Sequence, residues 1–228
     1  MVANGTTAPV WTVDFRGGGK KPQVKLVKKL ERAGVLNGVT ALPGVDDTVL
    51  IADSTKGIVW HVDIHTGAYE VGVQVDEMSG GAAVGVNGVH VHDGFLYWTN
   101  SSTRTIYRIK ITPQGFAATC AGAEAVAVID AVFLDDFAIG DDGTIWVATN
   151  YDNRLFAVQS STNQSVVAAG SPTEFTVAGD TAAVFGRGTS DRQTLYVSTN
   201  GGLKAPINST LMEGGKVVAI DTAGFRFS

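Results

Sequence analysis

One pattern of apolar runs and turns occurs four times along this sequence of 228 residues. Its clearest copy spans residues 86–100, where a short apolar run, the turn pair Asp93-Gly94 and a second run of aromatic and β-branched residues follow one another. Apolar runs joined by such a pair are typical of β-hairpins. A third apolar run follows at residues 106–111. The repeated unit is therefore a small antiparallel sheet.

The spacing of the repeat restricts the fold further. The second run of each copy ends on Asp53, Asn100, Asn150 or Asn200, which are 47, 50 and 50 residues apart. A sheet of a few short strands cannot bury both faces alone, so successive units must pack on one another. Unrelated strands of a sandwich would not preserve both order and spacing. The sequence predicts an all-β fold, a β-propeller of four-stranded blades of about 50 residues.

The repeats indicate a single β-propeller domain over residues 1–228. Residues 1–33 resemble the two outer strands of a partial blade, and further repeats start near residues 36, 86, 134 and 181. This amounts to about four and a half blades, whereas six is common among small-molecule propellers. We therefore expect an incomplete ring, with N-terminal blades missing from this sequence or a second chain covering the open edge, because an uncovered edge exposes unpaired backbone groups.

Three tryptophans and one loop give local expectations. Trp60 lies in the third strand of its repeat, whereas Trp98 and Trp146 lie in the second. All three are predicted to pack between sheets, because large aromatic side chains in strand centres dominate such cores. The Gly/Ala-rich segment 74–85 is predicted to be a rim loop with Met78 exposed.

Charge and composition exclude several kinds of partner. The formal net charge is −5 and no extended Lys/Arg cluster occurs, so neither nucleic acid nor a membrane surface is an expected partner. The single cysteine, Cys120, excludes an internal disulfide and a cysteine-based zinc site. No apolar run has membrane-spanning length and no secretion signal is visible, so we expect a soluble protein of unassigned compartment. Glycosylation would require a longer, secreted precursor; the sequons are at Asn4, Asn100, Asn163 and Asn208.

Polar residues in the first strand of successive repeats mark a candidate site. They are Asn37, Asn87 and the pair Asp135-Asp136. The innermost strands of a propeller line its central channel, so these side chains are predicted to converge at one mouth. Amide and carboxylate oxygens suit a hard cation such as Ca²⁺. The same residues are also common in plain turns, and both interpretations stay open.

Two histidines offer a second candidate. His90 and His92 alternate on one strand, so their side chains point to the same face, as two metal ligands would. The sequence offers no third ligand, and a half-exposed strand accounts for both residues. Nucleophilic hydrolysis finds no support, because the chain has no Gly-x-Ser-x-Gly elbow.

Several segments resemble the regucalcin and gluconolactonase-like six-bladed propellers. These segments are residues 36–39, 85–89, 135–138, 183–187, 199–202 and 213–219. The resemblance is greatest for a fungal branch of specialised metabolism that includes hetero-Diels-Alderases of tropolone-sesquiterpenoid pathways. Metal-dependent members hold a divalent ion with a Glu, two Asn and an Asp; Asn37, Asn87 and Asp136 match the last three, and the Glu has no counterpart here.

The resemblance implies an enzyme of fungal specialised metabolism that acts on a small-molecule substrate. Because the Glu has no counterpart, the preferred hypothesis is a cyclase or pericyclase that requires no cofactor. The first alternative is a lactone hydrolase that binds Ca²⁺ or another divalent metal through Asn37, Asn87 and Asp136. The second is a non-catalytic, ligand-binding propeller, since fold alone does not fix function.

The preferred hypothesis assigns a role to each candidate residue. Asp136 and Asn87 are the catalytic residues, and Asn37 and Asp135 bind a polar group of the substrate. Two aromatic residues enclose the apolar part of the substrate, and these are Phe137 and Phe185. The competing interpretation of both Phe side chains is blade core.

Overall fold

A computed structural model describes residues 8–17 and 21–227, which are almost entirely β-structure. The strands are β1 (Ala8–Asp14), β2 (Gln23–Leu30), β3 (Leu36–Leu42), β4 (Val45–Asp53), β5 (Ile58–Asp63), β6 (Tyr69–Val73), β7 (Val86–His92), β8 (Phe95–Asn100), β9 (Thr105–Lys110), β10 (Glu124–Val128), β11 (Phe137–Ile139), β12 (Thr144–Ala148), β13 (Arg154–Gln159), β14 (Gln164–Gly170), β15 (Asp180–Phe185), β16 (Thr194–Thr199) and β17 (Val217–Asp221). One turn of 3₁₀-helix covers Asp76–Met78. No helix in the described residues is long and apolar enough to cross a membrane.

The strands form five antiparallel sheets, each built from consecutive strands. The sheets β3–β6, β7–β10 and β11–β14 have four strands each, as the repeat predicts. The first sheet pairs only β1 with β2, and the last contains β15, β16 and β17. The predicted all-β propeller architecture is confirmed.

The core is divided into layers that lie between neighbouring sheets. In β4, Leu50 and Ala52 belong to the layer shared with the sheet β7–β10, whereas Ile51 faces the sheet β1–β2. In β12, Ile145 faces the preceding sheet and Trp146 the following one. Because successive side chains of a strand point to opposite faces, each central sheet buries both faces.

The tryptophan prediction is confirmed. Trp60, Trp98 and Trp146 are all buried, and each lies in a different layer. Trp98 stacks on Tyr107 with ring centroids 5.4 Å apart, whereas Trp60 meets Tyr69 edge-on at 5.5 Å. The different strand positions of Trp60 and Trp98 thus give them different partners.

The prediction that Met78 is exposed is wrong. Met78 is fully buried in the layer around Trp98. Two hydrogen bonds hold the 3₁₀ turn that contains Met78 against the sheet. Trp98 Nε1 and Asn100 Nδ2 both donate to the Glu77 carbonyl, at 3.3 Å and 3.0 Å. These bonds turn the following methionine inward, where its apolar side chain fills the layer.

Burial also distinguishes the glycosylation sequons. Asn100 is fully buried, and its Nδ2 donates to the carbonyls of Glu77 and Ser79. Its side-chain nitrogen is therefore inaccessible to a sugar in the folded chain. Asn163 and Asn208 are exposed, and Asn4 lies outside the described residues.

Candidate functional site

The inner strands enclose a pocket of about 360 Å³. We call it the channel pocket. It is lined by Leu36, Asn37, Gly38, Val39, Asp135, Asp136, Thr181 and Ala182. These residues come from the start of β3, the segment just before β11 and the start of β15. The structure therefore brings Asn37, Asp135 and Asp136 together, while their roles in binding or catalysis remain predictions.

Two glycines allow the inner strands to approach closely. A Cβ atom on Gly38 would lie 2.6 Å from the Asn87 carbonyl oxygen, and one on Gly88 would lie 2.8 Å from the Asp136 Cα atom. Both distances are too short for a side chain, and in each case the obstacle is backbone. The Asn-Gly pairs therefore do more than form turns, because each glycine lets the backbone of the next repeat pack closely against the residue after the asparagine.

Asn37 and Asn87 are held by serine hydroxyls. Asn37 Nδ2 donates to Ser54 Oγ at 3.2 Å, and Asn87 Nδ2 donates to Ser101 Oγ at 3.0 Å. Asn87 is 2% exposed and lies behind the pocket wall, and its Oδ1 has no hydrogen-bond partner in the residues that the structure describes. Sequence reasoning missed both serines, although each directly follows the Asp or Asn that marks the repeat.

Within the described part of the chain, hydrogen bonds reach only one carboxylate oxygen of Asp136. Its Oδ1 accepts the Phe137 backbone N–H at 2.9 Å and lies 3.2 Å from His90 Nε2. His92 instead lies 3.4 Å from the exposed carboxylate of Asp93. His90 is therefore a partner of the candidate catalytic carboxylate, which the sequence did not indicate.

Asp135 carries the clearest electrostatic perturbation in the pocket wall. Its pKa is raised to about 6, chiefly by burial and to a smaller extent by Asp136, while hydrogen bonds from Asn150 and Asn87 partly oppose the rise. Asn150 Nδ2 donates to Asp135 Oδ2 at 2.9 Å, and Asn200 Nδ2 donates to Asn150 Oδ1 at 2.9 Å. A chain of side chains from three repeats thus supports one carboxyl group.

Asp180 is a further acidic residue that sequence reasoning missed. It is fully buried at the start of β15, and its Oδ2 accepts the Thr149 backbone N–H at 2.9 Å. Its Oδ1 has no hydrogen-bond partner over residues 8–17 and 21–227. Burial raises the pKa of Asp180 well above its usual value, and the nearby Asp135 raises it further. The sequence feature that could have indicated Asp180 is a single acidic residue directly before the fourth repeat.

The two candidate aromatic residues lie away from the channel pocket. Phe137 is fully buried in the layer between the sheets β7–β10 and β11–β14. Phe185 packs against the layer around Trp146, at the far end of β15. Both positions fit the blade-core interpretation. The apolar wall of the pocket is supplied instead by Leu36, Val39 and Ala182.

The donor set fits a divalent cation only in part. Asn37, Asn87 and Asp136 would supply three oxygens, and the unpartnered Oδ1 of Asn87 is the kind of atom a cation would satisfy. Ca²⁺ takes six to eight oxygen ligands. No group of three or more His, Cys, Asp or Glu side chains in the described part of the chain is placed to hold a metal.

Consecutive antiparallel sheets around a channel lined by their inner strands define this chain as a β-propeller. Among solved structures, a luciferin-regenerating enzyme matches with a TM-score of 0.69 at 14% identity, over 96% of this chain and 72% of that one. A gluconolactonase from Xanthomonas campestris matches with a TM-score of 0.53 at 16% identity, over 82% and 58%. At such identities the similarity shows the fold alone.

Two curated relatives are more similar in sequence. The candidate hetero-Diels-Alderase asR5 of Sarocladium schorii is 30% identical over 237 residues, covering 92% of this chain and 59% of that protein. A candidate hetero-Diels-Alderase of a Phoma species is 30% identical over 210 residues, covering 82% and 59%. No protein-family profile matches the chain. The predicted resemblance is thereby confirmed, with the chain spanning about three fifths of each relative's length.

Proposed function

We propose that this chain forms the substrate-binding channel of a cyclising enzyme of the hetero-Diels-Alderase type. The observation that carries the proposal is the similarity to two candidate hetero-Diels-Alderases, which in the first case extends over 92% of the chain. The reaction would unite a conjugated heteroatom-containing diene with an alkene. Two new σ bonds form as three π bonds become one, and no atom is lost.

For such a reaction, the main task of the protein is to position the two reacting groups. Holding two reacting groups in a productive geometry can lower a barrier by about 7 to 11 kcal/mol without any ionisable catalyst. The channel pocket, at about 360 Å³, is within the size range of small-molecule sites. Its lining combines apolar side chains, those of Val39 and Ala182, with polar ones, those of Asn37 and Asp136. This division suits a substrate with a hydrocarbon part and an oxygen-bearing part.

Asp136 would hold the oxygen-bearing part. Phe137 N–H and His90 both engage its Oδ1, which fixes the orientation of the carboxyl group. The other oxygen, Oδ2, has no hydrogen bond to the described residues and is available to a ligand. Thr181 Oγ1 is already within 2.9 Å of Ser198 Oγ, so Asp136 and Asn37 are the better candidates for substrate contacts.

The proposal predicts an increase in the rate of cycloaddition that does not depend on a metal. The purified chain, treated with a chelator, would be mixed with an ortho-quinone methide generated in solution and an alkene. Chromatography would follow the cycloadduct and its stereochemistry against a protein-free reaction. We expect a faster reaction and one preferred stereoisomer. A rate and stereoisomer ratio equal to those without protein would contradict the proposal.

A divalent-metal-dependent lactone hydrolase is the second candidate. The buried and unpartnered Oδ1 of Asn87 favours it, because a cation would satisfy that oxygen. In a parallel assay with simple lactones, this candidate predicts ring opening that appears with added Ca²⁺ and disappears with chelator. If the chain opens lactones in this way and accelerates no cycloaddition, the hydrolase replaces the cyclase.

A further inference from the structure

Two successive repeats hold their inner-strand asparagine in the same manner. In the first, Asn37 Nδ2 donates to Ser54 Oγ at 3.2 Å, and Ser54 Oγ donates to the Val86 carbonyl at 2.7 Å. In the second, Asn87 Nδ2 donates to Ser101 Oγ at 3.0 Å, and Ser101 Oγ donates to the Leu134 carbonyl at 2.6 Å. Val86 begins the next inner strand, β7, and Leu134 lies shortly before the following one, β11, separated from it by Asp135 and Asp136.

This arrangement determines which way each amide group points. A backbone carbonyl only accepts hydrogen bonds, so the single hydroxyl proton of Ser54 or Ser101 is already used. The serine oxygen can then only accept, and the asparagine must present its NH₂ group to it. The Asn87 NH₂ also faces the Leu134 carbonyl at 3.4 Å, which is a second acceptor. The oxygen of each amide is therefore directed away from its serine.

The wall of the channel pocket is consequently rich in acceptors. The Asn37 side chain lines the pocket with one of its two N–H donors used by Ser54, and the carboxyl groups of Asp135 and Asp136 lie beside it. Behind them, Asn87 Oδ1 is buried with no partner among the described residues. A ligand that supplies hydroxyl donors can bond to the acceptor oxygens that line the pocket, those of Asn37, Asp135 and Asp136.

We propose that Ser54 is a positioning residue that fixes the Asn37 amide with its oxygen available to the ligand, that Ser101 holds the buried Asn87 amide behind the wall in the same way, and that the pocket thereby selects compounds with hydroxyl donors. The inference rests on the proposed function only in taking the channel pocket as the substrate site. It defines the polar part of the substrate as a hydroxyl-bearing group, in preference to an ether or a plain carbonyl.

The third repeat supports the same conclusion by a different route. Tyr151 occupies the position after the marking Asn150, where the earlier repeats have serine. In this repeat Asp135 follows Leu134 as Asn37 follows Leu36, so a carboxyl group takes the place of the inner-strand amide, and Asn150 Nδ2 donates to its Oδ2 at 2.9 Å. The third repeat therefore also places acceptor oxygens in the pocket wall.

A matched pair of unreactive probes tests the proposal. The wild-type chain, in the presence of a chelator, would be titrated with 4-fluorocatechol and with 4-fluoroveratrole, in which both hydroxyls are methylated. Fluorine NMR would give both dissociation constants. We expect the catechol to bind at least about tenfold more tightly, the amount expected for one or two net hydrogen bonds. In Ser54→Ala, the Asn37 amide is free to rotate, and the preference is expected to fall to roughly threefold or less.

Two further variants make the result specific. Ser102→Ala is the matched control, because Ser102 Oγ also donates to a backbone carbonyl at 2.7 Å, that of Val84, but lies outside the pocket. It should keep the full preference. Asn37→Leu replaces a partly exposed side chain by one of similar size without polar atoms, and it should lose the preference even if Ser54→Ala folds poorly.

Several outcomes would overturn the proposal. These are equal binding of the two probes, tighter binding of the ether, no binding of either probe at millimolar concentration, and a preference that survives in both Ser54→Ala and Asn37→Leu. Binding that requires added Ca²⁺ would also overturn it, because the oxygens would then serve a cation. The proposed function fails separately: an intact hydroxyl preference without any cycloaddition would remove the cyclase and keep the hydroxyl-selective pocket.

Discussion

Replacing Trp98 by alanine is expected to lower the free energy of unfolding by about 3 to 5 kcal/mol, the range for removing a large buried aromatic side chain. Trp98 is fully buried, stacks on Tyr107 and donates to the Glu77 carbonyl at 3.3 Å. Its loss would leave a cavity between two sheets and release the turn that carries Met78. Urea unfolding of wild-type and variant chains measures the difference.

Trp11→Ala is the matched control for that experiment. Trp11 lies in β1 and is 53% exposed, so its removal creates no enclosed cavity. We expect a change of less than about 1 kcal/mol. Equal losses for the two variants would show that Trp98 is not the centre of a tightly packed layer, and would contradict the layered arrangement of sheets.

Raising the pH from 4 to 7 is expected to destabilise the folded chain by about 3 kcal/mol through Asp135 alone, since each pKa unit corresponds to roughly 1.4 kcal/mol. Its pKa is raised from 3.8 to about 6 by burial. Between these values the unfolded chain releases the proton and the folded chain retains it. The stabilisation from the retained proton is thus fully present below pH 4 and is lost as the pH rises through 6. Asp180, whose pKa is also raised by burial, adds to the trend in the same direction.

Two substitutions identify the groups responsible. Asp135→Asn cannot ionise and should flatten the decline between pH 4 and 6. Asn150→Ala removes a hydrogen bond that lowers the pKa of Asp135, so it should extend the decline to higher pH. Asp14 and Asp63 have lowered pKa values, so their contributions to stability change below pH 4. They do not alter the expected decline between pH 4 and 6. A stability that rises from pH 4 to 6 in the wild type would contradict the buried, proton-retaining state of Asp135.

The fold could be predicted from the sequence because its information is local and repeated. Each copy places a turn pair between two apolar runs, and the constant spacing from Asp53 to Asn200 relates the copies to one another. Alternation along strands such as β4 then determines both buried faces. The burial of Met78 could not be predicted, because it depends on hydrogen bonds from Trp98 and Asn100 to a neighbouring turn.

Of the candidate site, only the residues that line the channel pocket could be predicted from the sequence. Asn37 lies at the start of one inner strand and Asp136 directly precedes another, so the repeat alone indicates that they share a channel. The residues that orient them lie elsewhere: Ser54 directly follows the adjacent strand β4, and His90 reaches Asp136 from the preceding repeat. Such contacts depend on how one blade packs on the next, which glycines such as Gly88 control through backbone distances.

The position of the substrate in the channel pocket is tested most directly by two aspartates at opposite ends of β11. Asp136 precedes the strand in the pocket wall, whereas Asp141 follows it, exposed and remote from that pocket. With a quinone methide and an alkene, Asp136→Ala is expected to lower kcat/KM for cycloaddition by roughly tenfold to a hundredfold, as for loss of a hydrogen bond to a charged group. Asp141→Ala should stay within about twofold of the wild type. A wild-type rate in Asp136→Ala, or equal losses in the two variants, would contradict catalysis in the channel pocket.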